Sequence, residues 1–431
     1  MYTGYKFRLF EYHRYINAAR NILAAGLRCL AVEGLTAACD SGKPDGSGRV
    51  KVRPKEQVAK SKGNQTMETG IEVDFLPVGE GEHSGDAICV RWGVPGDYKV
   101  MVYDGGTEAS GKALVEHIKK YYGTTHVDYV VNSHPDRDHA SGLAVVLKEL
   151  SVGEVWMHRP WSHSEAIRHY FADQRMTDAS LSGRLQRKMG AAYKVDQLAE
   201  EKGVPIYEPF VGAEIGIFHV LSPTKDRYID ELLPAFEKSP ELKEKTFVES
   251  LESIFDSITG AIKKAINYVA EQWSEEHLPE TVETSAENES SVVLHASVQG
   301  RGFVLTGDAG IQSLRKASES ASFMGINVAS TLHFAQIPHH GGRHNVSTET
   351  LDLFFGSRNA AQDVVPTRVA FVSASKEAPT HPKKRVVNAF VRRGYIVNAT
   401  KGSTVSYGIG MPARDGWTSA PRLAFSDQVE E

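Results

Sequence analysis

The sequence predicts an α/β (α+β) fold, an αββα sandwich in which two sheets pack face to face between outer helices. Three observations lead there. Two series of short, β-branched and aromatic segments alternate with helical stretches; a long insertion separates the series; and acids and imidazoles recur just beyond the apolar segments.

The first series begins near Ile71 with "IEVDFLPV", "GDAICVRWG", "YKVMVYDGG", "VDYVVNSH" and "VGEVWMH", interleaved with helices expected over 109–122 and 140–150. The second follows residue 285: "SSVVLHASV", "RGFVLTGD", "HFAQIPHHG", "TRVAFVSAS" and "STVSYGI", with helices expected over 309–319, 347–354 and 382–393. Between them lies an insertion of about 160–285, expected to be helical. Its clearest element is 247–273, where Phe247, Leu251, Ile254, Ile258, Ile262, Ile266, Val269 and Trp273 form one apolar stripe. Such a helix packs on the core, covers the site as a lid, or forms the seam of a homodimer.

Ahead of the first series, Phe10, Ile16, Ile22, Leu23, Leu27 and Leu30 predict an N-terminal helical extension over 1–39. Residues 40–68 read as a flexible basic linker, because 40–65 holds seven Lys and Arg and almost no large apolar side chain. The main domain is therefore expected over 69–420. A chain of 431 residues fits one such domain with additions, since single cores stop growing near roughly 250–300 residues.

The composition, 41% hydrophobic and 24% charged with a net charge of −5, does not advertise nucleic-acid binding by the whole chain. Three cysteines form neither a paired disulfide framework nor a CxxC zinc site, which predicts a reducing, cytoplasmic setting. No apolar run reaches the ~18–20 residues that cross a membrane, so no membrane association is expected. Arg28 and Glu33 interrupt the stretch 21–39, which reads as an amphipathic helix rather than a secretion signal.

The chemistry gathers in "NSHPDRDHASG" (132–142). His134 and Asp136 alternate on an extended segment and point the same way, so they can share one metal ion. The adjacent Asp138 and His139 can address a second. In "FVLTGDAG" Asp308 follows an apolar strand, where it can bridge two ions; alone it would read as a helix N-cap. In "AQIPHHGGRH" either His339 or His340 can close the second shell.

These motifs resemble the metallo-β-lactamase superfamily. The resemblance runs from about Ile71 to Ile409 without most of the insertion. "YDGG" is similar to the family's first motif, which implies that Asp104 orients the metal loop from behind the ligands. "HPDRDH" is similar to HxHxDH, with Asp136 in the second histidine's place. "LTGDAG" resembles the bridging-aspartate motif, and "IPHHG" resembles a Pro-x-His-Gly motif, which favours His340 over His339 as ligand. The closer resemblance is to the hydrolase domain of ComEC-type DNA-uptake competence proteins, through HxDxDH, Asn288 and Ser291, "TGD", "HHG" and His381-Pro382. On that resemblance Asn288 is a substrate-binding candidate. Two departures stand out. "ENESS" (287–291) occupies the place of a further histidine, and the chain has no membrane channel.

Carboxylate in place of imidazole hardens the site, which puts Mn²⁺ somewhat ahead of Zn²⁺. Two such ions would activate a water for hydrolysis. Asp138 is the candidate to orient that water or take its proton, and His339 and His381 are candidates to contact the transition state. Lys376 beside His381 reads as an anion contact. Arg159, Arg168 and Arg175, interleaved with Trp161, Tyr170 and Phe171, suit phosphates and stacked bases. The expected function is a phosphodiesterase acting on nucleic acid. The alternatives are a small-molecule phosphodiesterase for a cyclic nucleotide or phosphocholine ester, and a metal-bearing protein that binds without catalysis.

Overall fold

A computed structural model describes residues 68–79, 85–240, 268–378 and 380–430. The expected N-terminal helix, nearly all of the linker, Cys29 and Cys39 lie outside the described residues.

The first sheet has seven strands: β1 (Gly70–Phe75), β2 (Ala87–Val94), β3 (Asp97–Gly105), β4 (His126–Val131), β5 (Ser151–Trp156), β6 (Ile206–Tyr207) and, at the edge beside β1, β15 (Val405–Ile409). The second also has seven: β7 (Glu214–Ile215), β8 (Phe218–Ser222), β10 (Val293–Val298), β11 (Arg301–Leu305), β12 (Leu332–Gln336), β13 (Arg368–Val372) and β14 (Tyr395–Ala399). A separate ribbon pairs β9 (Tyr268–Ala270) with β16 (Gln428–Glu430).

Alternation along each strand creates the layers. In β2, Ile88, Val90 and Trp92 face the core between the sheets, while Ala87 and Cys89 face the outer helices. Phe75, Phe334 and Phe371 meet edge-on at 5.1–6.1 Å in the inter-sheet core. Tyr103 spans it by donating to the Val292 carbonyl at 2.7 Å. The αββα expectation holds.

The helices that bear on the site are α1 (Glu108–His117), α2 (Arg137–Ala140), α3 (Leu143–Glu149), α4 (Asp178–Lys188), α5 (Gly190–Glu201), α6 (Ile311–Phe323) and α8 (Lys384–Arg392), with α7 (Thr348–Phe354) beside α6. Strands β3, β4 and β5 run parallel, as do β11, β12 and β13. Their carboxyl ends therefore open at one end of the sandwich, and "YDGG", "HPDRDH", "LTGDAG" and "IPHHG" each lie at or just beyond one of them.

Three expectations need correction. The region expected as a helical insertion also supplies β6 to the first sheet and β7 and β8 to the second. The helix expected over 247–273 lies mostly outside the described residues, and its last part is not helical. Tyr268–Ala270 is strand β9, because pairing with β16 and the buried Glu271–Arg392 ion pair at 2.6 Å outweigh local periodicity. Ordered structure also continues past 420, to β16 with Val429 fully buried. Strand β14 went unrecognised because its five residues directly follow the amphipathic pattern of α8.

His158, just after β5, is buried with neither ring nitrogen hydrogen-bonded and stacks on Tyr228 at 4.2 Å. Burial pushes its pKa down to about 3, against the pull of Glu208. The unfolded chain, with an ordinary histidine pKa near 6.5, binds more protons than the folded protein between those values. This contribution to stability is therefore complete above about pH 6.5 and is lost as pH falls toward 3. Its slope is at most about 1.4 kcal/mol per pH unit. His158→Phe keeps the stack and should flatten the acid side of a denaturation-midpoint curve; an unchanged slope would contradict this origin.

Candidate metal centre

The site begins with the loop after β4. Asp104, at the end of β3, accepts from the Ser133 backbone N–H at 2.7 Å, the Ser133 hydroxyl at 2.5 Å and His139 Nδ1 at 2.9 Å. That fixes the His139 ring with Nε2 turned toward Asp308. Gly142 makes the close approach possible, since a Cβ there would stand 1.9 Å from the Gly105 carbonyl oxygen.

Asp136 sits at the N-cap of α2 but makes no capping bond. Asp308 is not an N-cap either, because α6 starts after Gly310. Both carboxylates are left for the site. His339 and His340 lie in the left-handed region at φ 47° and 56°, where strain marks functional positions. That turn buries His340 and ties its Nδ1 to the Ser373 carbonyl oxygen at 3.2 Å.

The donor atoms converge. Nε2 of His134 lies 3.6 Å from Asp136 Oδ2 and 3.9 Å from Asp308 Oδ2. Nε2 of His139 and of His340 lie 3.4 and 3.7 Å from that same Asp308 oxygen. Donors sharing a tetrahedral ion at about 2.0–2.2 Å stand roughly 3.3–3.6 Å apart. Asp138 joins His139 and His340 within a 4.8 Å ring of donors. Nε2 of His134, Nε2 of His139 and Asp308 Oδ1 are buried without hydrogen-bond partners. Orphaned donors at ion spacing fit two divalent metals. Asp308, whose Oδ2 faces His134, His139 and His340, would serve both.

Residues 81–248 match the family model described as the metallo-beta-lactamase superfamily. Those residues are similar to that superfamily, and the match covers less than half of the chain. Similar solved structures include unliganded yeast PDE1, at 10% identity over 78% of this chain and 99% of that one, TM-score 0.36. A long form RNase Z from yeast is 9% identical over 85% of this chain and 41% of its own, TM-score 0.29. The beta-lactamase-superfamily hydrolase AbOPH is 12% identical over 64% and 90%, TM-score 0.30. None of the curated proteins matches the chain. At these identities and TM-scores the neighbours add nothing to the reading of the site.

Neighbouring charges in this site set one another's protonation. Burial would depress His139, but Asp308 and Asp104 carry its pKa well above the usual value. Burial would raise Asp308, yet His139 and His340 hold it well below the carboxylate range. Asp136 is likewise low: burial is overcome by His134 and by Lys238, whose ammonium contacts Asp136 Oδ1. His381 is pushed down to about 4 by burial and by Lys383, His340 and His339, so it is neutral at pH 7.

Two site residues were not found in the sequence. Asp86, just before β2, is fully buried, accepts from Gln336 Nε2 at 2.8 Å and lies within 4.8 Å of Asp308 and His340 donors. Burial pushes its pKa up to about 7, offset by His139 and reinforced by Asp308 and Asp104. Lys238 reaches Asp136 across 102 positions of sequence, a contact with no local signal.

The substrate candidates are placed differently. Asn288 donates to His339 Nδ1 at 3.0 Å and so sets that ring. Lys376 is exposed and packs over Gly402. Arg159 pairs with Asp196 at 2.8 Å and Glu200 at 2.6 Å, and Arg168 with Asp178 at 2.5 Å, so neighbouring helices neutralise both. Trp161 and Phe171 are not stacking platforms: they are buried in the outer core, with 5% and 0% exposure. The cationic surface lies elsewhere. A cleft of about 940 Å³ adjoins Asp138 and is lined by Arg137, Lys188, Lys194 and Lys238, at the α4–α5 junction.

In another buried cluster, Asp74, Cys89 and His117, one Asp74 oxygen is engaged and Oδ1 has no hydrogen-bond partner. Asp74 Oδ2 accepts from His117 at 2.9 Å, Tyr122 at 2.8 Å and Arg414 at 2.6 Å.

Asp104→Asn should weaken the more tightly held ion by about 10–100-fold, because it removes the charged partner behind His139. Equilibrium dialysis with elemental analysis reads the change; retention equal to wild type would contradict the orienting role.

Proposed function

We propose that this metallo-beta-lactamase superfamily hydrolase is a phosphodiesterase that cuts nucleic acid with two divalent ions, Mn²⁺ ahead of Zn²⁺. The observation that carries the reading is the cleft beside Asp138. Among the described residues, no carboxylate lies within ion-pair distance of Arg137, Lys188 or Lys194 there. Unpaired cations beside a metal centre suit a chain of phosphates.

Six glutamates lie over 275–289; Glu275, Glu280 and Glu283 are exposed, and the other three are engaged within the fold. Glu276 pairs with Arg393 at 2.8 Å, Glu289 with Arg227 at 3.1 Å, and Glu287 is buried. The ComEC-type resemblance of the motifs points to the same substrate class.

His134, Asp136 and Asp308 would hold one ion, and Asp138, His139, Asp308 and His340 the other. When bound, the pair supplies Lewis acidity that activates water and neutralises phosphoryl charge. Asp138, facing the cleft, orients the attacking water and takes its proton. His339, held through Nδ1 by Asn288, keeps Nε2 for a phosphate or leaving-group oxygen. His381, neutral at pH 7, offers a hydrogen bond there without charge. Arg137, Lys188 and Lys194 bind phosphates flanking the scissile one.

The test is cleavage of single- and double-stranded DNA, RNA and bis(p-nitrophenyl) phosphate by metal-stripped protein resupplied with Mn²⁺, Mg²⁺ or Zn²⁺. Metal-dependent strand cleavage, lost in Asp138→Ala, is the expected result. Cleavage of the small diester alone would overturn the nucleic-acid reading, and inactivity on all would overturn the phosphodiesterase. Lys188→Glu with Lys194→Glu should raise the KM for a single-stranded oligonucleotide by at least about tenfold. It should also make the log–log salt dependence of binding shallower by about 1.4. Lys316→Glu, on α6, should leave both near wild type.

A further inference from the structure

We infer that Lys238 is an electrostatic latch on Asp136 that keeps the first metal position weakly occupied while the second is held tightly. This rests on the two-ion reading above. The two oxygens of Asp136 face different partners: Oδ2 looks toward His134 Nε2 at 3.6 Å, and Oδ1 takes the Lys238 ammonium. An ion shared by His134, Asp136 and Asp308 must therefore bind a carboxylate that already carries a cation.

Lys238 is built into this place. Its backbone N–H donates to the buried Glu287 at 3.3 Å, and the Ser239 hydroxyl after it donates to the Leu233 carbonyl oxygen at 2.9 Å. Both side chains of the latch are about two-thirds buried, with 32% and 29% exposure, so water screens the pair only in part.

The second position has no such competitor. His139, His340 and Asp308 converge on it with Asp138, and no lysine or arginine ammonium or guanidinium lies within ion-pair distance of Asp138 or Asp308 among the described residues. The first position is also approached by three protein residues, His134, Asp136 and Asp308, against Asp138, His139, Asp308 and His340 at the second. A carboxylate in a histidine's place thus gains a function: an imidazole whose one lone pair faces an ion has none left for an ammonium, while Asp136 has a second oxygen. Lys238 also lines the cationic cleft, so its ammonium lies between the first metal position and the phosphate-binding face.

The experiment titrates metal-stripped, full-length wild type, Lys238→Met and Lys238→Arg with Mn²⁺ alone, reading bound metal by equilibrium dialysis and elemental analysis. Wild type should take one equivalent tightly and a second at least about tenfold more weakly. Lys238→Met should tighten the weak step by about tenfold or more and leave the tight one near wild type, while Lys238→Arg should keep two unequal steps. Equal affinity for both ions in wild type, or a weak step no tighter in Lys238→Met, would overturn the latch and leave the metal centre standing. Failure of every protein to bind Mn²⁺ would overturn both.

Discussion

The site depends on one buried carboxylate. Asp104 is fully buried and joins the end of β3 to both Ser133 and His139, so a single side chain sets the loop after β4 and the face of an imidazole. Its backbone is left-handed, at φ 58°, and α2 and α3 approach β3 only because Gly105 and Gly142 carry no side chains. Local strain and two glycines are the cost of aiming Nε2 at Asp308.

Balance of charge is the second constraint. Asp86, Asp104 and Asp308 are all buried around the His139 ring, a burden that a low-dielectric interior tolerates only with matched cations. The protein answers partly with His139 and His134, whose pKa values neighbouring carboxylates raise against burial, and partly with Lys238. Burial still pushes Asp86 up to about 7. Divalent ions would complete the match.

Much of this was legible in the sequence, for physical reasons. Two-residue alternation in segments such as "AICVRW" marks strands with two buried faces, and acids and imidazoles beyond strand ends mark the open end of parallel sheets. The cluster of His134, Asp136, Asp138, His139, Asp308 and His340 is a set of short local motifs, and the fold brings them together. What stayed hidden depends on tertiary contact. Lys238 acts across 102 positions, and Asp86 precedes a strand without any patterned partner. The apparent aromatic platform at Trp161 and Phe171 is core, because composition cannot tell a stacking face from a buried one. Residues 268–270 form a strand since β16 offers backbone partners that no helical periodicity foresees.

The most direct measurement is an anomalous-scattering map of crystals loaded with Mn²⁺. The account predicts two peaks flanking the Asp308 carboxylate, the stronger within reach of His139 and His340 and the weaker within reach of His134 and Asp136. Peaks confined to other clusters, such as Asp74, Cys89 and His117, or no peak beside Asp308, would contradict it.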